Sequence, residues 1–288
     1  MAQRVKHDYP GPGASVTYDR CFDVSHVVPH LQTHVPQGLA TWPKWNGRAD
    51  LLLITAYSPR DDHAYVIGLD AQTGERVGTA KLRASHVGGI AVFAELGWAY
   101  VSSAHKRKLR RYALDELGEA IRNSTYVRQA ESDNVFGASF LAGQSDTQTL
   151  WAGRFDADER SAMRAYEVSE NGSLRARDGT WQVPKATQGL VVTEDMFVFS
   201  CSWGRRNRSR IYLVRRAEGS NTLDKARMRM FRAPSMSEGM TLSERDLYVV
   251  YESGAREYRK GEHKPLNVIG RLHRARVDAL EQLSRGNA

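Results

Sequence analysis

Cysteine is scarce. The 288 residues include only Cys21 and Cys201, no CxxC spacing occurs, and two thiols cannot form a metal cage alone. Whether they are reduced or joined by one long-range disulfide is open. Long hydrophobic runs are missing too. No apolar stretch of about 18 residues is present, which excludes a membrane-spanning helix, and the mean hydropathy is −0.53. The opening MAQRVKHDYPGPG has no apolar h-region, so the chain as it stands carries no secretory leader. That leaves a cytoplasmic protein or a mature exported form. Catalytic signatures are equally thin, since GxSxG, P-loop and Rossmann fingerprints are absent. Aromatic-interleaved motifs of the RRM or cold-shock type are also missing, so nucleic acid is not an expected partner. No cofactor is expected either.

What is present is a globular composition. Hydrophobic residues make up 41%, charged residues 26%, and 6 Trp, 12 Tyr and 8 Phe are spread along the chain, which argues against disorder. The formal charge is +8, from 41 Lys plus Arg against 33 Asp plus Glu. Excess cations favour anionic partners, and most of these are Arg, whose planar fork suits phosphates and carboxylates. Arg richness also follows from a GC-rich genome, so the position of the charge matters more than its sum.

An internal repeat decides the architecture. Gly followed by apolar residues recurs in HVPQGLATW, SHVGGIAVF, NVFGASFL, ATQGLVVT and SEGMTLS, at Gly38, Gly89, Gly137, Gly189 and Gly239, spaced by 51, 48, 52 and 50 residues. A second apolar run follows each: 51–58, 98–105, 150–155, 197–203 and 247–253. Third runs lie at 64–70, 109–114, 163–168, 210–216 and 267–275, and outer strands are expected at 75–82, 126–131, 179–183 and 226–233. Each unit has the length of one propeller blade. Stacking blades around an axis buries both faces of every sheet, and closing the ring removes the exposed ends. The pattern predicts an all-β, five-bladed β-propeller over 14–276, with blades starting near 35, 86, 134, 186 and 236. A tail at 1–13 and a helical cap at 277–288 flank it, and 114–122 reads as a helical insert. The fifth unit lacks a fourth strand, so 14–24 is expected to supply one and lock the ring. A monomer is expected.

The QGLATW and SHVGGIAVF openings, with the TAYS and VSSAH strand ends, resemble small five-bladed propellers of actinobacteria, many of them exported. The resemblance spans about Ser15 to Arg276. It implies the fold but no single activity, so it carries over no functional residue. Five-bladed glycosidases and calcium-dependent apyrases place carboxylates around the channel mouth. Here the residues preceding the repeated Gly are Gln37, Gly88, Phe136, Gln188 and Glu238. Only one is acidic, which argues against both classes.

In a propeller the inner strand starts, and the second strand ends, at the same rim. Gln37, His86, Phe136, Gln188 and Glu238 are therefore expected near one mouth, with Tyr57, His105, Arg154, Ser202 and Ser253. The connectors on that rim carry Lys106, Arg107, Lys108, Arg110, Arg205, Arg206, Arg208, Arg256, Arg259 and Lys260, with Asp61, Asp62, Asp156, Asp158 and Glu159 in an acidic sector. A small anionic molecule is the expected ligand, bound by Gln37, Tyr57, His105, Phe136, Arg154, Gln188, Ser202, Arg205, Ser253 and Arg256. Solvated charge is the plainer alternative.

His34 and His86 precede repeat glycines, and with Glu238 they form the expected acid–base group for a lyase, cyclase, isomerase or hydrolase reaction. A hydrogen-bonded polar plug is the structural alternative. His26, His30 and His34 are spaced like helical metal ligands, but Pro29 and Pro36 make the segment extended. Alternation turns Cys201 between blades, which favours packing over nucleophilic chemistry. Two competing functions remain: a recognition module for an acidic glycan or protein, and a His-based metalloprotein.

Overall fold

A computed structural model describes residues 7–286. Five antiparallel sheets form a ring of five blades, a β-propeller. Blade 1 comprises Val35–Trp42, Leu51–Tyr57, His63–Asp70 and Arg76–Arg83, from the axis outward; blade 2 comprises Ile90–Phe93, Trp98–Ser102, Lys108–Ala113 and Glu131–Asn134. In blade 3, Phe140–Gln144, Thr149–Gly153 and Ser161–Val168 are followed by two short outer pieces, Leu174–Ala176 and Trp181–Val183, both paired with Ser161–Val168. Blade 4 comprises Thr187–Val192, Met196–Cys201, Ser209–Arg215 and Met228–Ala233. Blade 5 takes Ser237–Ser243, Asp246–Tyr251 and Arg271–Arg276 from the C-terminal end, and its outermost strand is Asp23–Val27.

The hydrophobic pattern follows from stacking. Second strands such as Leu51–Tyr57 are buried on both faces, so they read as continuous apolar runs rather than alternating ones. The core divides into five clusters, one at each junction between neighbouring blades. Leu53 and Val66 meet Ile90 and Val101, for example, while Ile54 and Leu69 meet Tyr248 and Leu272 where blade 1 closes on blade 5.

The repeated glycines have a steric cause. A Cβ on Gly38 would lie 3.1 Å from Gly89, one on Gly89 2.7 Å from the Leu141 nitrogen, and one on Gly189 2.4 Å from the Glu238 carbonyl. On Gly239 it would lie 2.4 Å from the Leu39 nitrogen. Four of the five thus mark where one inner strand touches the next. Gly137 differs, abutting Gly153 and Arg154 of its own blade. The inner strands converge at this end and spread at the other into a funnel of about 360 Å³.

Two expected elements are displaced. The ring-closing strand is Asp23–Val27, while Val16–Cys21 ahead of it is a helix whose N-cap, Ser15, accepts from the Tyr18 N–H. That helix drives Tyr18 into the blade 4–blade 5 seam, where its hydroxyl meets Tyr251 Oη at 2.5 Å and His273 Nδ1 at 2.7 Å. The fourth strand of blade 2 is Glu131–Asn134 rather than 126–131. The helix Leu114–Asn123 occupies the preceding space, packing Leu117 and Ile121 against blade 1, and leaves Tyr126 only a bridge to Lys81. Val277–Arg285 is helical and covers blades 4 and 5. Of the expected N-terminal tail, residues 1–6 lie outside the described residues, as do 287–288 at the other end; Tyr9 is buried beside Tyr18 and His273.

Candidate functional site

At the glycine end, blades 1 and 5 bring together a polar cluster with little access to solvent. Glu238 precedes the Gly239 clasp, and its side chain is only 2% exposed. Above it lies Glu252, the first residue after the second strand of blade 5, which accepts from Gln37 Nε2 at 2.9 Å. Gln37 holds its position by also donating to the Pro36 carbonyl at 2.9 Å. Tyr57 and Tyr258 join hydroxyls at 3.0 Å beside the two acids. The Arg205 guanidinium, from the blade 4 connector, lies 4.8 Å over the Tyr258 ring, and the His86 ring lies 4.9 Å from that of Tyr57.

Burial sets the chemistry of this cluster. Desolvation raises Glu252 to about 7, while Gln37, Tyr258 and Arg205 pull it back toward the charged form. Glu238 is raised well above the ordinary carboxyl value by its complete burial and by the neighbouring Glu252. At neutral pH Glu238 therefore keeps its proton and Glu252 is poised between states. Desolvation also raises Tyr57 and Tyr258 and lowers His86. The resulting set holds one neutral acid, one titrating carboxyl and two protonated phenols next to a cation.

The structure brings together Gln37, Tyr57, His86, Arg205 and Glu238 of the residues singled out by sequence. His34 faces elsewhere. Its ring contacts are with Thr33, His30 and the edge of Tyr65, and its Nε2 is buried without a partner. Phe136 and Arg154 form a separate pair, with the guanidinium 3.8 Å over the ring and Nε donating to the Phe136 carbonyl at 2.9 Å. Ser253 is fully buried and accepts from the Ile269 N–H, so it braces the long blade 5 connector. Ser202 is buried, with its N–H bonded to the Ala186 carbonyl. Gln188 is half-buried, and His105 and Arg256 are exposed. Arg110 is not a rim residue: it is 5% exposed and donates to the Arg83 and Ala84 carbonyls.

Glu252 and Tyr258 were not singled out. The signal for Glu252 was one residue away, because the strand ends at Tyr251 and the acid occupies the next position. With it, the mouth holds two carboxyls rather than the one counted from sequence. Tyr258 sits in a four-residue helix, Arg256–Arg259, inside the longest connector, where no periodicity marks it.

Cys201 is buried between blades 3 and 4 with its thiol pushed up to about 12 by desolvation, which suits packing and not attack. Both cysteines are free. His26 bonds the Ala71 carbonyl and stacks on Tyr248, apart from the His30–His34 pair. Among the described residues no group of three His, Cys, Asp or Glu is arranged to hold a metal ion.

No protein-family profile matches the chain, and no curated protein matches it. Solved structures resemble it in fold alone. Hydrazine synthase of Kuenenia stuttgartiensis shares 12% identity over 77% of this chain with a TM-score of 0.45, and the chain spans 57% of its length. A chain of a nidogen/laminin complex shares 11% identity over 76% of this chain and 73% of its own, with a TM-score of 0.44. The Cps50 (Swd1) β-propeller domain of Myceliophthora thermophila shares 10% over 80% of this chain and 65% of its own, with a TM-score of 0.41.

Proposed function

We propose that the glycine-end mouth binds a small anionic molecule and moves a proton on it, as a hydrolase or lyase would. The observation that carries this is Glu252. It is a half-buried carboxyl raised to about 7, resting on the buried Glu238 and flanked by Arg205, Gln37 and Tyr258. A carboxyl poised near neutrality gives or takes a proton efficiently at physiological pH. Arg205 would pair with the ligand's charge, Tyr57 and Tyr258 would donate to developing negative charge, and Glu238, kept neutral by burial, would leave Glu252 as the group that gives or takes the proton. Blades 1 and 5 supply most of the cluster, with Arg205 and His86 from their neighbours, while Phe136 and Arg154 of blade 3 form a pair of their own, and that asymmetry favours a single site over a recognition surface with one equivalent site per blade.

The test is a thermal-shift panel of phosphate, pyrophosphate, malate, citrate and glucuronate against the full chain. Support would be a rise in Tm with one of them that disappears in Arg205→Gln and changes sharply between pH 6 and 8 in the wild type (about one unit either side of the Glu252 value). The reading is wrong if every shift survives both Arg205→Gln and Glu252→Gln.

A further inference from the structure

A second opening lies away from the mouth, at the top of the junction between blades 3 and 4. It is a cleft of about 460 Å³ whose lining includes Lys185, Trp203, Arg206, Arg208, Arg210 and Arg232. Its shape follows from strand register. Cys201 pairs with Arg210, and Arg210 pairs with Arg232, so the three stand side by side across blade 4 on the face turned to blade 3. Two residues down each strand that face carries Phe199 and Tyr212, packed in the blade 3–blade 4 core. The sheet face therefore changes from apolar core to cationic surface within one side-chain repeat.

Two features of this cleft run against stability. Arg210 and Arg232 are directly opposed across the strands, an arrangement that like charges destabilise, and among the described residues none of the five cations forms an ion pair. Arg208 is turned onto the Pro12 carbonyl, which both of its terminal nitrogens approach at 3.4 Å. Beside these cations Trp203 leaves 59% of its surface exposed, with Phe155 5.5 Å from its ring. Asn207 fixes that corner by donating to the Trp203 carbonyl at 2.8 Å.

We infer that this cleft is a second binding site, for a ligand with two or more phosphoryl or sulfuryl groups next to a ring whose face can lie on an indole. Its lining is rich in donors and has no carboxylate to accept from hydroxyls, so the charged groups must be acceptors only, as phosphate and sulfate esters are. Four arginines and a lysine within one cleft suit a multiply charged group. The exposed indole offers a stacking platform for a base or a sugar ring. The site is independent of the mouth: Arg205 turns inward to Tyr258, while Arg206 and Arg208 of the same connector line the cleft.

Calorimetric titration of the full chain at low salt tests this with adenosine diphosphate, inorganic pyrophosphate, adenosine and a disulfated disaccharide. Adenosine diphosphate or the disulfated disaccharide should bind, pyrophosphate more weakly, and adenosine not at all. Whichever of the two ring-bearing probes binds tighter identifies the source of the shared chemistry. Arg210→Gln with Arg232→Gln should weaken every charged probe at least about tenfold. Trp203→Ala should reduce the ring-bearing probe to the level of pyrophosphate. Arg205→Gln and Glu252→Gln should leave the affinities of the two ring-bearing probes unchanged, which separates this site from the mouth. Circular dichroism of each variant confirms its fold. Binding that survives the double arginine variant, adenosine binding as well as its diphosphate, or no charged probe binding below about 1 mM overturns the inference.

Discussion

The two ends of the channel are made by the same five strands and yet differ in kind. At the glycine end the backbones touch, leaving no space on the axis for strand side chains. The polar groups there come from strand ends and connectors, as Glu252, Tyr258 and Arg205 do, and they are packed against one another. At the funnel end the strands diverge around about 360 Å³, and the lining includes Asp50, Asp146, Glu194 and Glu244. Three of these acids are exposed, and Asp50 accepts from Ser243 Oγ at 2.8 Å. The open end is thus anionic and exposed, while the end with perturbed acids is tight and desolvated. An open cavity and a cluster of desolvated acids are separate properties, and in this molecule they lie at opposite ends of one axis.

The sharpest way to break that contrast is at the clasp. Gly239→Ala adds a methyl 2.4 Å from the Leu39 nitrogen and 2.7 Å from Gly38, and backbone on both sides leaves no flexible side chain to yield. A loss of about 3 kcal/mol or more is expected, read as a fall in the urea midpoint. An unchanged midpoint would mean that the inner strands do not need the close approach. The methyl-for-hydroxyl change Thr241→Val, toward the funnel, should cost far less.

Next in size is the pH dependence of the mouth. Raised carboxyls make the folded chain bind more protons than the unfolded one, so stability is greatest below the unfolded value near 4.5 and falls as pH rises toward 7 and beyond. Glu238→Gln replaces the protonated acid with a neutral isostere. It should stabilise by roughly 2 kcal/mol at pH 8 and by little at pH 5. Denaturation curves at both pH values check this, and equal effects at the two would contradict it. The acid limb belongs elsewhere. His273, buried at the blade 4–blade 5 seam, is lowered to about 3 by desolvation, so its contribution is lost as pH falls from about 6.5 toward 3. That loss should persist in Glu238→Gln.

The contrast also explains what sequence could show. The glycine spacing, the strand runs and the N-terminal closure were legible because they repeat: each glycine answers the same collision and each apolar run the same two-sided burial. The outer strand of blade 2 was not, because helix Leu114–Asn123 takes the preceding space and pushes pairing on to Glu131–Asn134. At the glycine end, the residues carried by the repeat itself (Gln37, Tyr57, Glu238) lie together, as the repeat places them at one rim. Of the connector residues, Arg205 stood out by its charge, while Glu252 and Tyr258 carried no such mark. Tyr258 belongs to a loop found in one blade only, and His34 and Ser253 were assigned by counting along the chain. His34 lies just ahead of its strand against Tyr65, and Ser253 lies in the short turn Glu252–Gly254 under the connector, so strand geometry does not aim either one.

A smaller effect is expected from Arg205→Gln. The guanidinium favours the charged form of Glu252 less strongly than the hydrogen bonds from Gln37 and Tyr258 do, so its removal should raise that carboxyl further, by less than Gln37→Ala would. Carboxyl carbon chemical shifts followed through a pH titration measure this directly. A downward move would mean that Arg205 is not acting on Glu252 through its charge.

The smallest effect should come from the funnel, and its smallness is informative. Glu244 is exposed in the turn after the inner strand of blade 5, five residues beyond Gly239 on the same stretch of chain. Glu244→Gln makes the same chemical change as Glu238→Gln, one carboxyl to one amide, in the same blade. If carboxyl identity or net charge governed the pH response, the two variants would behave alike. If desolvation governs it, Glu244→Gln should alter stability by less than about 0.5 kcal/mol and leave its pH slope unchanged, since water replaces whatever an exposed charge loses. Urea midpoints of both variants at pH 5 and 8 decide between these accounts. Matching slopes would remove the physical basis for treating the glycine end, rather than the funnel, as the place where protons are moved.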